Sequence, residues 1–205
     1  IFDEVMCGMG RTGYMFACEA EKVSPDILCI AKGLGAGYQP VGAMLCSDKI
    51  YDVLNKGSGF FQHGHSYLGH PVATAAGLAV VKTLLEKDLI KRSQLMGDKL
   101  KNALTQKLGQ HPNVGDIRGR GLFVGIELVQ DRETKLPFAI EDGLAGKIKK
   151  TTFEAGLICY PMAGTRDGKL GDHILLAPPF ILEDEHIEEI VEKISCGIDA
   201  AILTD

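Results

Sequence analysis

The chain has 205 residues, 45% hydrophobic and 24% charged, with a formal net charge of -5. This is the profile of an ordinary soluble globular protein with room for one large domain or one and a half. The mildly acidic balance and dispersed lysines exclude a nucleic-acid footprint, and no apolar run approaches the ~20 residues needed to span a bilayer.

In chain order, residues 1–5 read as a buried strand. The sequence opens inside that pattern with no Met and no cleavable signal, so it reads as a fragment of something longer. A glycine-punctuated loop covers residues 6–13, and a short helix candidate covers 14–21. Ser24-Pro25-Asp26 then turns the chain into a second apolar strand over 27–31. Residues 33–37 are nearly all glycine or alanine, so the chain turns sharply there or approaches a ligand closely. A third strand spans 41–46, and Ser47-Asp48 caps a helix over 49–55. Residues 57–70 have no period of either kind and form a loop, after which Pro71 suits the first turn of a helix running to Glu86. Residues 89–108, apolar at Leu89, Leu95, Leu100, Leu104 and Leu108, make the candidate for a long helix linking two domains.

Beyond His111 the pattern changes. Strands are predicted over 114–118 and 122–129, around Gly119-Arg120-Gly121, followed by an amphipathic helix over 141–154. Short strands over 157–160 and 173–176 come next, the latter broken by Pro178-Pro179, and a last helix covers 183–202. Two or three strands with helices on one side describe a small α+β domain.

The residues that suggest chemistry lie mostly near the start. Lys32 stands at the carboxyl end of the second strand, where open α/β sheets keep their ligand crevices. Desolvation there favours the neutral amine and lowers a pKa of ~10.4, which suits a Schiff-base lysine. A solvated lysine closing a strand is the plain alternative. Asp3, held in an apolar strand, needs a partner for its charge. A protonated heteroaromatic nitrogen supplies one, and pyridoxal phosphate needs both such a carboxylate and a lysine. Val5 shares the Asp3 face of the strand and can pack on a ring. Alternatively, Asp3 and Glu4 cap the strand or pair with Arg11. His63, His65 and His70 have no nearby cysteine or carboxylate to complete a metal site, which reads against a metal. Arg11 and Thr12 interrupt any nucleotide-binding glycine fingerprint. The six cysteines lack a CxxC pair and read as a reduced, cytoplasmic interior rather than a disulfide framework.

At these residues the chain resembles the class III (fold type I) pyridoxal-phosphate aminotransferases. The resemblance runs through Asp3-Glu4-Val5, Gly8-Met9-Gly10-Arg11-Thr12-Gly13, Pro25-Asp26-Ile27 and Ala31-Lys32-Gly33-Leu34-Gly35-Ala36-Gly37. It continues at Gly64-His65-Ser66-Tyr67, Gly69-His70-Pro71, Arg118-Gly119-Arg120-Gly121-Leu122 and Ala177-Pro178-Pro179. It implies an α/β fold in which residues 1–88 are the C-terminal part of a cofactor-binding large domain with a mostly parallel sheet. Residues 89–110 would be an interdomain helix and 111–205 a small C-terminal α+β domain, so that the chain is the C-terminal half of such an enzyme. By the same resemblance Lys32 forms the aldimine and shuttles a proton, Asp3 pairs with the pyridinium nitrogen, and Val5 packs on the ring. Ser66, where the family usually has threonine, would reach the phosphate of the neighbouring subunit's cofactor in a homodimer with shared sites. Met6 stands where many members carry glutamine near the cofactor's phenolic oxygen. The phosphate-cradling amides and the ring-stacking aromatic would come from sequence before Ile1, so the 205-residue chain alone is expected to bind cofactor poorly and to be inactive.

The substrate side of the resemblance points to the ω-amino-acid and amine:pyruvate branch. Leu175 occupies the position where several α-amino-acid enzymes have a carboxylate-binding arginine. Arg166, on a loop, reads either as a bidentate carboxylate clamp or as a solvated arginine, and Tyr160 is a second lining candidate. The expected reaction moves an amino group from an amine or ω-amino acid to a 2-oxo acid such as pyruvate. An aminomutase, racemase or decarboxylase on the same fold, or a truncated piece without activity, are the alternatives.

Overall fold

The computed structural model describes residues 1–203, which fall into two compact units, Ile1–Arg92 and a second that begins at Ser93. The last two residues of the expected small-domain range lie outside the described residues. Among the described residues no helix is long and apolar enough to cross a membrane.

The first unit is built on strands β1 (Phe2–Asp3), β2 (Ile27–Ile30) and β3 (Ala43–Cys46), in the order β1-β2-β3. β1 runs parallel to β2, with Asp3 opposite Cys29, and β3 runs antiparallel to it, with Ile27 opposite Cys46. The sheet of this unit therefore has one parallel and one antiparallel pair. Its buried positions lie on the central strand, where Leu28 and Ile30 alternate with half-buried Ile27 and Cys29. The expected buried strand over residues 1–5 is corrected: only Phe2 and Asp3 form the strand, both exposed, because β1 has a ladder on one side only and the chain turns away after the Glu4 N–H bond to the Cys29 carbonyl. The helix expected over 14–21 is a 3₁₀ turn, Ala17–Glu21, whose Glu19 carboxylate accepts the Phe16 N–H at 3.1 Å.

Helix α1 (Asp48–Lys56) follows Ser47, but Ser47 Oγ makes no cap; the Ser47 carbonyl accepts from Ile50 and Tyr51 at 3.0 and 3.1 Å. Helix α2 (Pro71–Glu86) starts on its proline, where a missing N–H costs nothing. It buries Ala73, Gly77 and Leu84, and the small residue at 77 lets the helix lie on Leu34, at the end of the 3₁₀ turn Lys32–Leu34 that continues β2. Helix α3 (Leu89–Leu108) begins in this unit and runs on into the second.

The second unit is a four-stranded antiparallel sheet of β4 (Val114–Arg120), β5 (Phe123–Leu128), β6 (Tyr160–Met162) and β7 (Asp172–Leu176), ordered β4-β5-β7-β6. One face carries Val124, Ile126, Leu128, Ile174 and Leu176 into a core shared with α3, α4 (Leu144–Glu154) and α5 (Asp184–Leu203). Strict alternation along β5 and β7 puts these residues on one side, and each fully buried Leu or Ile contributes roughly 1.5–3 kcal/mol. The apolar stripe of α3 is Met96, Leu100, Leu104 and Leu108, at four-residue spacing; Leu95 is exposed. β6 lies later than residues 157–160. Leu157 and Cys159 pack against the core as irregular chain, and pairing begins at Tyr160, on an edge strand that tolerates Pro161.

Candidate active site

Because β1 and β2 are parallel, their carboxyl ends open on the same edge of the sheet. Asp3 is the last residue of β1, and Lys32 comes two residues after the end of β2. The register thus sets the acid and the amine on neighbouring strand ends. Lys32 opens its 3₁₀ turn with φ 40°, a left-handed backbone for a residue with a side chain, which costs about 1–2 kcal/mol. The turn is held by the Leu34 N–H on the Ala31 carbonyl at 2.9 Å and by the Gly35 and Ala36 N–H groups on the Lys32 carbonyl, both at 3.1 Å. Strain of this kind persists where the surrounding chain over-determines it, as functional sites do.

The side chain of Lys32 is exposed, so residues of this unit do not supply the desolvation expected for it. Asp3 is exposed as well, correcting the expectation of an acid held inside an apolar strand; its Oδ1 accepts the Val5 N–H at 3.0 Å, which fixes the carboxylate at the strand end. Val5 is half-buried and Met6 is 44% exposed. Ser66 lies in the 57–70 loop and is exposed. Its neighbours His65, Tyr67 and His70 do meet Gln39, Pro40 and Gly42 around a cavity of about 390 Å³.

The substrate-side candidates belong to the second unit. Arg166 sits in a loop closed by its own backbone: the Arg166 N–H donates to the Leu170 carbonyl at 2.9 Å, and Thr165 Oγ1 donates to the Gly171 carbonyl at 2.8 Å. Asp167 accepts the N–H groups of Leu170 and Lys169, which hold its carboxyl below the usual range. The Arg166 side chain itself is exposed. Tyr160, 57% exposed, pairs across the sheet with Leu175, the position from which an arginine is missing. Arg118 is held by Asp116 at 2.8 Å and Glu127 at 3.0 Å.

Sequence reasoning gave no role of its own to the buried acid. Glu4 is 3% exposed, and its two carboxylate oxygens accept the N–H groups of Ala17 at 2.6 Å and Cys18 at 2.8 Å. The available signal was the pair of adjacent acids, since neighbours on a strand face opposite ways and only one can look outward. Nearby, burial lowers the Arg11 guanidinium to about 10. Met9, 3% exposed, packs against Gly33, where a Cβ would lie 2.9 Å from the Met9 Cβ.

Comparison with known proteins fits this arrangement. An aminotransferase from Gibberella zeae is 44% identical over 203 residues, covering 98% of this chain and 40% of that protein. The putrescine–pyruvate aminotransferase of Pseudomonas aeruginosa is 36% identical over 191 residues, covering 93% of this chain and 40% of its own length. Among solved structures, an (S)-enantioselective ω-transaminase from Thermomicrobium roseum superposes with a TM-score of 0.89 at 32% identity, over 98% of this chain and 43% of the other. The chain thus spans about two fifths of the length of the curated relatives it matches. The model of the family described as "Aminotransferase class-III" matches residues 1–198; with an amine and an acid on adjacent parallel strand ends and the likeness running nearly end to end, this chain belongs to the class III aminotransferases.

Proposed function

We propose that the whole protein is a pyridoxal-phosphate-dependent transaminase that moves an amino group from an amine or ω-amino acid to a 2-oxo acid such as pyruvate. The observation that carries this reading is the placement of Lys32 and Asp3 at the carboxyl edge of the parallel β1–β2 pair, with Lys32 in a rare backbone conformation. These residues fit the cofactor: both side chains are open to a ligand, one as an amine and the other as a carboxylate. When bound, the group supplies an electron sink for charge that develops on the donor carbon.

Lys32 Nζ is then the atom that would hold the cofactor's aldehyde carbon and, once freed, move the proton from the donor's nitrogen-bearing carbon. The Asp3 carboxylate would balance the charge on the ring nitrogen, and Val5 would pack on the ring. Ser66 would reach the phosphate from a partner subunit, in a homodimer with shared sites. Arg166 and Tyr160 are assigned to the substrate carboxylate. The first unit is assigned to the cofactor-binding large domain, α3 to the link, and the rest of the second unit to a small α+β domain. The amine-handling preference draws on the likeness to the putrescine–pyruvate enzyme and the ω-transaminase, together with leucine at position 175.

The test is borohydride reduction of the full-length protein with pyridoxal phosphate and peptide mapping, beside an assay of alanine formed from pyruvate with putrescine, β-alanine or 4-aminobutyrate. A single adduct on Lys32, lost in Lys32→Ala, and alanine formed from at least one donor are expected. Labelling scattered over surface lysines, with no alanine from any donor, would overturn the reading.

A further inference from the structure

We infer that Glu4 is a positioning residue for the Asp3–Lys32 pair: its buried carboxylate locks the strand that carries Asp3 to the loop that packs beside Lys32. This rests on the function proposed above. Glu4 is joined to its surroundings at four points. Its N–H donates to the Cys29 carbonyl at 2.9 Å, which holds the end of β1 on β2, and its carbonyl accepts the Gly8 N–H at 3.0 Å. Its two carboxylate oxygens take one N–H each, from Ala17 and Cys18, at the start of the 3₁₀ turn. Charge-assisted bonds to backbone N–H groups are the strong kind, and here the acceptor is a buried carboxylate whose two N–H donors are partly buried.

The chain closes over this carboxylate. A Cβ at Gly8 would meet the Glu4 carbonyl oxygen at 2.8 Å and Glu4 Oε2 at 3.3 Å, so only glycine lets the backbone cross there. The loop pinned between Gly8 and Ala17 contains Met9, and Met9 is the residue that abuts Gly33, next to Lys32. A continuous path of contacts therefore runs from Ala17 and Cys18 through Glu4 to Asp3 on one side, and through Met9 and Gly33 to Lys32 on the other. Burial first, and the neighbouring Glu4 carboxylate after it, push the Cys7 and Cys18 thiols up. Asp3 is the acid of the chemistry, and Glu4 fixes where it stands relative to the amine.

The experiment uses the full-length protein and the variants Glu4→Gln, Glu4→Asp and Gly8→Ala. Hydrogen exchange is followed without cofactor, and the pH titration of the visible band and the kcat and KM are followed with it. In Glu4→Gln the amides of Ala17 and Cys18 are expected to exchange about 10- to 100-fold faster, as the loss of one charge-assisted bond implies. Exchange should also rise in the 31–37 peptide, the titration midpoint of the bound cofactor should move, and kcat should fall with the donor KM little changed. Peptides from β5 and β7 serve as unmoved controls. Faster exchange confined to residues 17–18, with wild-type titration and kcat, would overturn the inference and leave Glu4 a local tie. If Glu4→Gln does not fold, Glu4→Asp and Gly8→Ala, which strain the same closure from the inside and the outside, are judged by the same criteria. Absence of a Lys32 adduct in the wild type would refute the transaminase reading instead, while the exchange coupling between 6–18 and 31–37 would still stand or fall by itself.

Discussion

Two glycines after Lys32 serve different physical ends, and substitution separates them. Gly35 has φ -99°, a conformation open to any residue, yet a Cβ there would lie 2.2 Å from the Gln39 carbonyl oxygen and 3.0 Å from Val41 Cγ1. Ordinary non-bonded separations are about 3.5–4.0 Å. Gly35→Ala must therefore open the 35–39 turn by roughly 1.3–1.8 Å, against the Tyr38 N–H bond to the Gly35 carbonyl at 2.9 Å. Overpacking costs about 1–3 kcal/mol, and the upper end applies because the obstructing atom is backbone with no rotamer to change. At about 1.4 kcal/mol per tenfold, that is roughly a 100-fold shift in population. Gly37 is the reverse case: φ is 82° and a Cβ would meet nothing within 4 Å. Alanine there costs about 1–2 kcal/mol of backbone strain, most of which asparagine avoids. Urea midpoints of the full-length variants should rank wild type and Gly37→Asn first, then Gly37→Ala, then Gly35→Ala. Borohydride labelling of Lys32 should fall in Gly35→Ala alone. Equal midpoints for the two alanine variants, or full Lys32 labelling in Gly35→Ala, would refute the claim that the turn is closed by steric contact and that it carries the lysine.

Two further outcomes are expected. Burial first, and the Arg118 cation second, lower His173 below its ordinary 6.5, while Asp172 and Glu127 oppose the shift; its Nδ1 is buried with no partner among the described residues. A base lowered on folding leaves the unfolded chain holding more protons, so this stabilisation is complete above 6.5 and is lost as the pH falls below it. His173→Gln should lose less of its urea midpoint than wild type between neutral and mildly acidic pH, and an equal loss in both would refute the assignment. Arg166→Leu should raise the KM for a carboxylate donor such as β-alanine by roughly 10- to 100-fold, the worth of a charged hydrogen bond, while the kcat with putrescine stays at the wild-type value. A parallel rise for both donors would count against a carboxylate clamp.

Much of the second unit was legible because burial there follows period. The helices of α3 and α5 and the alternation along β5 and β7 stand out in the sequence, since each element buries one face against a core made within the same unit. What eluded the pattern was irregular chain: Leu157 and Cys159 pack on that core without pairing, so the expected strand over 157–160 begins only at Tyr160. In the first unit the limits are sharper. Lys32 and Asp3 were singled out from residue type and motif spacing, and the register brings both to one sheet edge. Their exposure was not identifiable, because period-two alternation assigns faces without saying which face is covered. Asp3 and Glu4 make the point: one acid must face each way, and the sequence suggested burying Asp3, the one proposed to meet the cofactor. The structure buries the other, because only Glu4 finds two backbone N–H donors to accept, and those donors sit at the start of a 3₁₀ turn thirteen residues away that the pattern had smoothed into a helix. A buried carboxylate goes where its hydrogen bonds can be met, and that is decided by tertiary placement of N–H groups rather than by the strand that carries the acid.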